Sequence, residues 1–223
     1  MTTRSRGTSP RRRALPAFPS AARRLAEIAR RFYKRGWMNG TSGNLSAVIS
    51  RSPLRLAVTQ SGVPKGGLTP GHILQVNAHG VPIRATPRRP SAETLLHVVI
   101  ARDRGAGAIL HTHSVWSTIL SDAHASAGGV AISGYEMQKG FEGVRSHEPR
   151  EFIPILENDQ DMSRLAGRVE VVLRQAPDAH AFLLRGHGVY TWGATLDEAE
   201  RHVEIAEFLF EVLVRREAAH GDR

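Results

Sequence analysis

Hydrophobic and polar positions repeat with two different periods along the chain, which predicts both helices and strands. Apolar side chains three or four residues apart predict a helix that is capped by Ser20 and ends near Gly36. The last long helix has the same period, and Thr195 with Glu198 predicts a capping box at its start. The apolar positions on one face of this helix are Ala199, Val203, Ala206, Phe210 and Leu213. We expect this face to pack on the sheet or on another subunit.

Shorter segments rich in aliphatic and β-branched residues predict strands. Residues 45–49 and 54–58 have the length and composition of a hairpin whose turn contains Pro53. An apolar run that starts at Ile109 predicts a buried strand. Further strands are predicted as a short pair around Gly80, at Val76 and residues 81–83, and at residues 130–132 and 179–184. Three further helices are predicted to begin at Ser91, Ser114 and Asn158.

Composition narrows the class of protein. With 223 residues, 41% of them hydrophobic, the chain is long enough to bury a substantial core. No apolar stretch approaches the roughly 20 residues that span a bilayer, which argues against a transmembrane role. Cysteine is absent. Any metal must therefore be held by His, Asp or Glu, a donor set that suits a catalytic centre better than a closed structural site. We expect a cytoplasmic protein.

The net charge of +9 is unevenly distributed. Five arginines and no acidic residue lie within residues 1–18, and about +4 is left for the rest of the chain. We expect residues 1–18 to form a disordered Arg-rich tail, followed by a single folded domain over 19–223. The mildly basic body suits an anionic substrate as well as it suits nucleic acid. We expect neither nucleic acid nor a membrane as a partner, with DNA binding by the tail as an alternative hypothesis. The five arginines are Arg4, Arg6, Arg11, Arg12 and Arg13.

Two histidines at the end of the strand that starts at Ile109 are the first chemical signal. His111 and His113 are two residues apart, and alternate side chains of a strand point to the same face, so both imidazoles can bind one ion. His187 lies at the end of another predicted strand between two glycines, a pattern typical of close approach to a ligand. A single histidine at a strand end is more often an ordinary hydrogen-bonded residue. The pair makes a metal site the leading hypothesis.

Two loops of small residues predict a place where an anion could bind. Residues 39–44 and 59–67 flank the predicted hairpin, and the second loop contains Lys65. Backbone N–H groups in such loops can surround an anion, with hydroxyl groups and a lysine as further donors. Each loop alone is more often an ordinary surface turn, but two similar loops separated by one hairpin favour a shared anion pocket. Glu93 is ambiguous for another reason, because a carboxylate in the first turn of a helix is favoured by the helix dipole without any chemistry.

Five motifs, in their order and spacing, resemble the class II aldolase superfamily over about residues 20–217. Two further segments resemble the methylthioribulose-1-phosphate dehydratase family of methionine salvage within it: Glu136-Met137 followed by Lys139-Gly140, and His187-Gly188-Val189-Tyr190 followed by Trp192-Gly193. The five motifs are Asn-Gly-Thr-Ser-Gly-Asn-Leu-Ser (39–46), Ser-Gly-Val-Pro-Lys-Gly (61–66), Pro-Ser-Ala-Glu (90–93), His-Thr-His-Ser (111–114) and Arg-Gly-His-Gly (185–188).

The resemblance implies an α/β fold with three α/β/α layers, a mainly antiparallel central sheet, and a homotetramer with active sites near subunit interfaces. It implies that one Zn²⁺ per subunit is held by three histidines, and that the phosphate of a small phosphorylated ketose is bound by loop residues. Ala92 departs from the second serine of the sugar-phosphate aldolases, so one phosphate donor is missing or replaced. The implied metal ligands are His111, His113 and His187. The implied phosphate-binding residues are Asn44, Ser61, Gly62 and Ser91, with Lys65 assisting.

Two carboxylates compete for the catalytic role. Glu93 matches the acid/base residue of the aldolases, whereas Glu136 matches the catalytic carboxylate of the dehydratases. We expect Glu136 to transfer the proton and Glu93 to lie beside the metal. The implied reaction is zinc-dependent dehydration of 5-methylthioribulose 1-phosphate to 2,3-diketo-5-methylthiopentyl 1-phosphate.

Two alternatives remain for the function. One is a class II sugar-phosphate aldolase or epimerase acting on fuculose or ribulose phosphate, because the same metal chemistry serves these reactions. The other is a non-catalytic binding module like the head of the adducins, which lacks the metal histidines. The presence of all three histidines in this chain argues against that second alternative.

Overall fold

An eight-stranded sheet forms the centre of the computed structural model, which describes residues 14–221. The strand order is β3-β2-β1-β4-β8-β7-β6-β5, and every neighbouring pair is antiparallel except β6 with β7. The prediction of a mainly antiparallel sheet is therefore confirmed. The strands are β1 (Asn44–Arg51), β2 (Leu54–Thr59), β3 (Ile73–Asn77), β4 (Ala108–Thr112), β5 (Gly129–Ile132), β6 (Glu151–Leu156), β7 (Ala181–Leu184) and β8 (Gly188–Gly193).

Five α-helices cover the two faces of this sheet. Buried side chains of α2 and α4 share one core with one face of the sheet, and those of α1, α3 and α5 form two cores on the other face. The three-layer α/β/α arrangement is thus as expected, and α5 packs on the sheet. The helices are α1 (Phe18–Lys34), α2 (Thr94–Asp103), α3 (Val115–Ala123), α4 (Met162–Gln175) and α5 (Leu196–Gly221).

The central strand β4 shows why the site forms where it does. All five of its residues are buried, because helices cover both faces of the sheet. Side chains alternate between the faces, so Ile109 lies in the core under α2 and α4 while Leu110 lies in the core under α1. The next residues continue the alternation, which directs His111 towards the start of α2 and Thr112 towards α5.

Three predicted helix caps are wrong. Helix α1 begins at Phe18 with Ala17 at the N-cap, because Pro19 already occupies its first turn, so Ser20 lies inside the helix. Helix α2 begins at Thr94, since Ser91 instead accepts a hydrogen bond from Asn44. Asp161, and not Asn158, caps α4, because its carboxylate accepts hydrogen bonds from two free backbone N–H groups of the first turn.

The hairpin and most other elements were predictable, but two strands were not. Strands β1 and β2 pair around Pro53, and at α5 the Thr195 hydroxyl accepts the Glu198 N–H as expected. Strands β6 and β8 were missed, because β6 contains Pro154 and β8 follows a Gly-His-Gly segment that suggests a loop. Their long-range pairing with β7 decides their conformation.

The predicted tail lies mostly outside the described residues, which start at residue 14. Of its last part, Leu15 packs against the core that α2 and α4 share, and Phe18 packs against the core beneath α1. Within residues 14–221, no helix has both the length and the apolar character that crossing a bilayer requires.

Gly107 should tolerate no side chain. A Cβ atom there would lie 2.0 Å from the backbone oxygen of Ala194, and backbone hydrogen bonds to Gly193 and Val48 hold Gly107 in place. We expect Gly107→Ala to lower the free energy of unfolding by about 3 kcal/mol in urea denaturation. Gly167→Ala on the exposed face of α4 is the matched control, and should raise it by about 1 kcal/mol because a Cβ there meets nothing within 4 Å. Equal effects would contradict the steric argument.

Candidate metal centre and active site

Three histidine side chains converge where β4 and β8 meet. His111 is the last residue but one of β4, His113 follows directly after the strand, and His187 lies in the turn between β7 and β8. Their Nε2 atoms are separated by 2.7 Å (His111 to His113), 3.0 Å (His113 to His187) and 3.4 Å (His111 to His187). The structure therefore brings the three predicted ligands together across 76 residues of sequence.

The backbone orients these imidazoles. Nδ1 of His111 lies 2.9 Å from the carbonyl oxygen of Val189, so the proton belongs on Nδ1 and the Nε2 lone pair points into the cluster. Burial lowers the pKa of His111 to about 3, and burial together with the neighbouring imidazoles lowers that of His113 to about 2. Both rings are neutral at physiological pH, which is the state that binds a metal ion.

Glu93 completes the cluster. It is the N-cap residue of α2, and its two carboxylate oxygens lie 3.5 Å from Nε2 of His111 and 3.2 Å from Nε2 of His187. Burial by itself would raise the pKa of Glu93, but the two imidazoles and the amide of Asn44 lower it well below the usual range, so the carboxylate is ionised. The helix dipole alone therefore does not account for the charge and position of Glu93.

The four side chains have the chemistry of a divalent metal site. One nitrogen or oxygen atom from each of Glu93, His111, His113 and His187 lies within 4.8 Å of all the others. Three imidazole nitrogens match the three protein ligands of a catalytic zinc centre, which keeps a further position open, and one carboxylate oxygen lies beside them. Across residues 14–221, no other group of three or more histidine, aspartate or glutamate side chains brings its ligand atoms together in this way.

The two predicted anion loops border the same cluster. Asn44 pairs directly with His111 in the sheet, and its amide donates hydrogen bonds to Ser91 Oγ (2.9 Å) and to the Glu93 carboxylate. In the second loop, Ser61 N–H donates to the carbonyl oxygen of Arg89 at 2.9 Å, two residues before Ser91. Gly62, next to Ser61, is exposed and adopts a φ of +72°. The proposed phosphate-binding segments are thus neighbours in space.

Lys65 connects these loops from inside. Only 1% of the residue is exposed, and Nζ donates hydrogen bonds to the carbonyl oxygens of Thr41 (2.8 Å) and Val63 (3.2 Å). Burial lowers its pKa to about 8, against the opposing effect of the Glu93 charge. The ammonium group therefore ties the first loop to the second, and its assistance to phosphate binding stays a prediction.

Glu136 lies apart from the cluster. Its side chain is exposed in a short 3₁₀ turn over residues 136–140, where one oxygen lies 2.7 Å from Nζ of Lys139 and the other 3.6 Å from Nδ1 of His147. These neighbours, with Lys139 first, lower its pKa, so Glu136 is ionised. Among its contacts with the described residues, none is to His111, His113 or His187. Within one chain, the structure therefore groups Glu93, and not Glu136, with the histidines.

Comparison with known proteins shows the family and the fold of this chain. The sequence model of the family described as "Class II Aldolase and Adducin N-terminal domain" matches residues 23–214. The chain belongs to this family. Solved class II aldolases share its fold: the L-fuculose-1-phosphate aldolase of Thermus thermophilus superposes with a TM-score of 0.70 at 24% identity, over 92% of this chain and 97% of the aldolase.

Relatives with higher sequence identity lie within the same class II aldolase family. The methylthioribulose-1-phosphate dehydratase of Marinobacter nauticus is 42% identical over 87% of this chain and 92% of its own length. The protein of the same name from Sorangium cellulosum is 41% identical over 92% of this chain and 94% of its own length. The similarity therefore covers almost the whole of both relatives.

Sequence reasoning missed a buried carboxyl group behind the metal cluster. Glu207 of α5 is 1% exposed and accepts a hydrogen bond from the Thr112 hydroxyl at 2.9 Å, while its other oxygen is buried and has no partner of regular geometry within residues 14–221. Thr112 separates His111 from His113, so Glu207 holds this segment from the opposite face of the sheet. The available signal was an acidic residue between Ala206 and Phe210, next to the apolar stripe of α5.

Glu207 should make stability depend on pH. Burial raises its pKa to about 7, although the hydroxyls of Ser114 and Thr112 oppose this shift. Between about pH 4.5 and 7 the unfolded chain has lost a proton that the folded chain keeps, so folding becomes less favourable as pH rises. In the metal-free chain, we expect Glu207→Gln to raise the free energy of unfolding above that of the wild type by up to about 3 kcal/mol at pH 8, and by far less at pH 4.5. A difference that is the same at both pH values, measured in urea, would contradict this account.

Proposed function

We propose that the chain is a metal-dependent hydro-lyase that converts 5-methylthioribulose 1-phosphate to 2,3-diketo-5-methylthiopentyl 1-phosphate in methionine salvage. The observation that carries this proposal is a three-histidine cluster flanked by Glu93 and two small-residue loops, in a chain about 42% identical to proteins named methylthioribulose-1-phosphate dehydratase. The names of those relatives indicate the reaction, and the arrangement of this chain's own residues indicates which groups would carry it out.

His111, His113 and His187 would hold one Zn²⁺ per subunit, with Glu93 beside it. When bound, a zinc ion acts as a Lewis acid that polarises the substrate carbonyl at C2 and so makes the proton on C3 more acidic. Burial keeps the imidazoles of His111 and His113 neutral, and the Val189 carbonyl turns Nε2 of His111 inwards. The Glu93 carboxylate adds a negative charge that favours a divalent cation at this position.

The loops and a carboxylate would supply the remaining steps. The 1-phosphate would be bound by Asn44, Ser61, Gly62 and Ser91, with the positive charge of Lys65 nearby. Glu136 would remove the proton from C3 and return a proton to the hydroxyl that leaves C4 as water. The enol that results between C3 and C4 then tautomerises to the 2,3-diketone, so the reaction removes one water molecule.

The exposed position of Glu136 favours an oligomer whose active sites lie between subunits. Its carboxylate is exposed on the surface of the chain, where it is free to approach an active site at a boundary between subunits. We accordingly propose a homotetramer, in which residues 19–223 form the catalytic domain. A cytoplasmic location, and a role without nucleic acid or membrane partners, belong to the same proposal.

The purified, zinc-loaded protein should form the diketone from methylthioribulose 1-phosphate. The measurement is the appearance of the diketone product, followed by mass spectrometry. Parallel incubations with fuculose 1-phosphate and ribulose 5-phosphate test the alternatives. Cleavage to dihydroxyacetone phosphate and an aldehyde, without dehydration, would establish an aldolase instead. A chain that binds no metal and turns over none of these substrates would favour the adducin-like binding module.

A further inference from the structure

Tyr190 is a completely buried residue of β8 whose ring packs against a metal-site histidine. It pairs with His111 across the sheet, and the two rings are stacked with centroids 3.9 Å apart and planes inclined by 10°. On its other side the ring stacks on Phe182 of β7, at 4.9 Å and 10°. His111 is thus the outermost ring of a stack that crosses three adjacent strands.

Successive residues of β8 hold the edge and the face of the same imidazole. The Val189 carbonyl accepts the Nδ1 proton of His111, and the Tyr190 ring covers one face of the His111 ring. A hydrogen bond to Nδ1 selects the tautomer but leaves the ring free to rock about that bond. The stacked phenol ring restricts this movement, and therefore restricts the direction in which the Nε2 lone pair points.

The hydroxyl group of Tyr190 lies near the Glu93 carboxylate. It is buried and has no hydrogen-bond partner of regular geometry among the described residues. The Glu93 carboxylate acts on this hydroxyl through its charge and through a hydrogen bond whose geometry is imperfect. A buried donor without a partner is unfavourable by about 1–3 kcal/mol. A phenylalanine would fill the same space without that cost, so a purely packing role does not explain the hydroxyl.

We propose that Tyr190 is a positioning residue of the metal centre, whose ring sets the orientation of His111 and whose hydroxyl orients the Glu93 carboxylate. This inference rests on the proposed metal-dependent function, and adds to it a residue that contacts neither the metal nor the substrate. The two parts of the side chain act on different groups. They can therefore be separated by substitution.

Two substitutions test the effect of the ring and the effect of the hydroxyl separately. Tyr190→Phe keeps the stack on His111 and the charge of Glu93, so we expect the dissociation constant for Zn²⁺ to stay within about threefold of wild type. It removes the hydroxyl that orients the Glu93 carboxylate beside the metal, so kcat should fall about tenfold with KM unchanged. Tyr190→Leu removes the stack as well, so we expect the dissociation constant to rise about 10- to 100-fold. Zinc affinity is measured on the metal-free full chain by competition with a chromophoric chelator, and the visible spectrum of bound Co²⁺ reports the ligand geometry.

Phe182→Leu is the matched control for loss of packing. It shortens the same stack from its far end, without touching His111, and should lower the melting temperature of the metal-free chain about as much as Tyr190→Leu does. Its zinc affinity and its Co²⁺ spectrum should remain those of the wild type. Equal weakening of zinc binding in Phe182→Leu and Tyr190→Leu would overturn the proposal, as would wild-type zinc affinity in Tyr190→Leu or an unchanged kcat in Tyr190→Phe.

The zinc measurements separate this inference from the proposed reaction. If the wild-type protein binds zinc but does not dehydrate methylthioribulose 1-phosphate, the proposed substrate is wrong while the effect of Tyr190→Leu on zinc affinity still tests the ring. If the wild-type protein dehydrates the substrate and Tyr190→Leu binds zinc normally, the reaction stands and the positioning role is wrong.

Discussion

His187→Ala is expected to weaken zinc binding by more than 100-fold and to lower turnover of methylthioribulose 1-phosphate by at least about 10³-fold. The substitution removes one of three imidazole nitrogens that lie within 3.4 Å of one another, and leaves only His111, His113 and the Glu93 carboxylate to hold the ion. Loss of the Lewis acid removes several kcal/mol of transition-state stabilisation, and each 1.4 kcal/mol corresponds to about a factor of ten. Zinc content by mass spectrometry and kcat for diketone formation measure the two effects.

His187 suits this experiment because its loss should not unfold the chain. It lies in the partly exposed turn between β7 and β8, whereas His111 is fully buried in the sheet. His79→Ala is the matched control, since His79 is exposed in a turn after β3 and should lose neither zinc nor activity. A His187→Ala protein that keeps its zinc and its turnover would remove this residue from the metal site and leave the His111–His113 pair without its third ligand.

Glu136→Gln is expected to abolish dehydration while zinc remains bound. A positioned acid/base group contributes about 10²- to 10⁴-fold to a rate, so kcat should fall by that factor. Zinc affinity should not change, because the contacts of Glu136 are to Lys139 and His147 and not to the three histidines. Glu93→Gln should behave differently and weaken zinc binding, because a neutral amide would replace a carboxylate oxygen that lies 3.2 Å from Nε2 of His187.

The comparison between these two variants decides the role of each carboxylate. Glu148→Gln, in the same exposed loop as Glu136, is the control and should retain wild-type kcat and zinc affinity. Retained turnover in Glu136→Gln would mean that Glu93 or another base removes the proton from C3. Loss of zinc from Glu136→Gln would show that Glu136 acts on the metal centre and not on the substrate.

Local patterns in the sequence determined the parts of the site that depend on neighbouring residues. The two-residue spacing of His111 and His113 at the end of an apolar strand already places both imidazoles on one face, because strand side chains alternate. The hairpin around Pro53 and the apolar stripe of α5 follow equally from local periodicity. The glycines around His187 and the two small-residue loops were also local signals. The family motifs assigned them to one metal site and one phosphate site, at positions that the structure then brings next to the same strand end.

Only the tertiary structure decided which groups meet the histidines from distant parts of the chain. Glu93, Tyr190 and Glu207 approach the His111–His113 segment from α2, β8 and α5, and strand order and helix placement, which no local period encodes, set these contacts. The same cause explains the missed strands β6 and β8, whose conformation depends on pairing with β7. Sequence spacing thus determined that two histidines share a face. The packing of α2 against the sheet determined that Glu93, and not Glu136, lies beside these histidines within one chain.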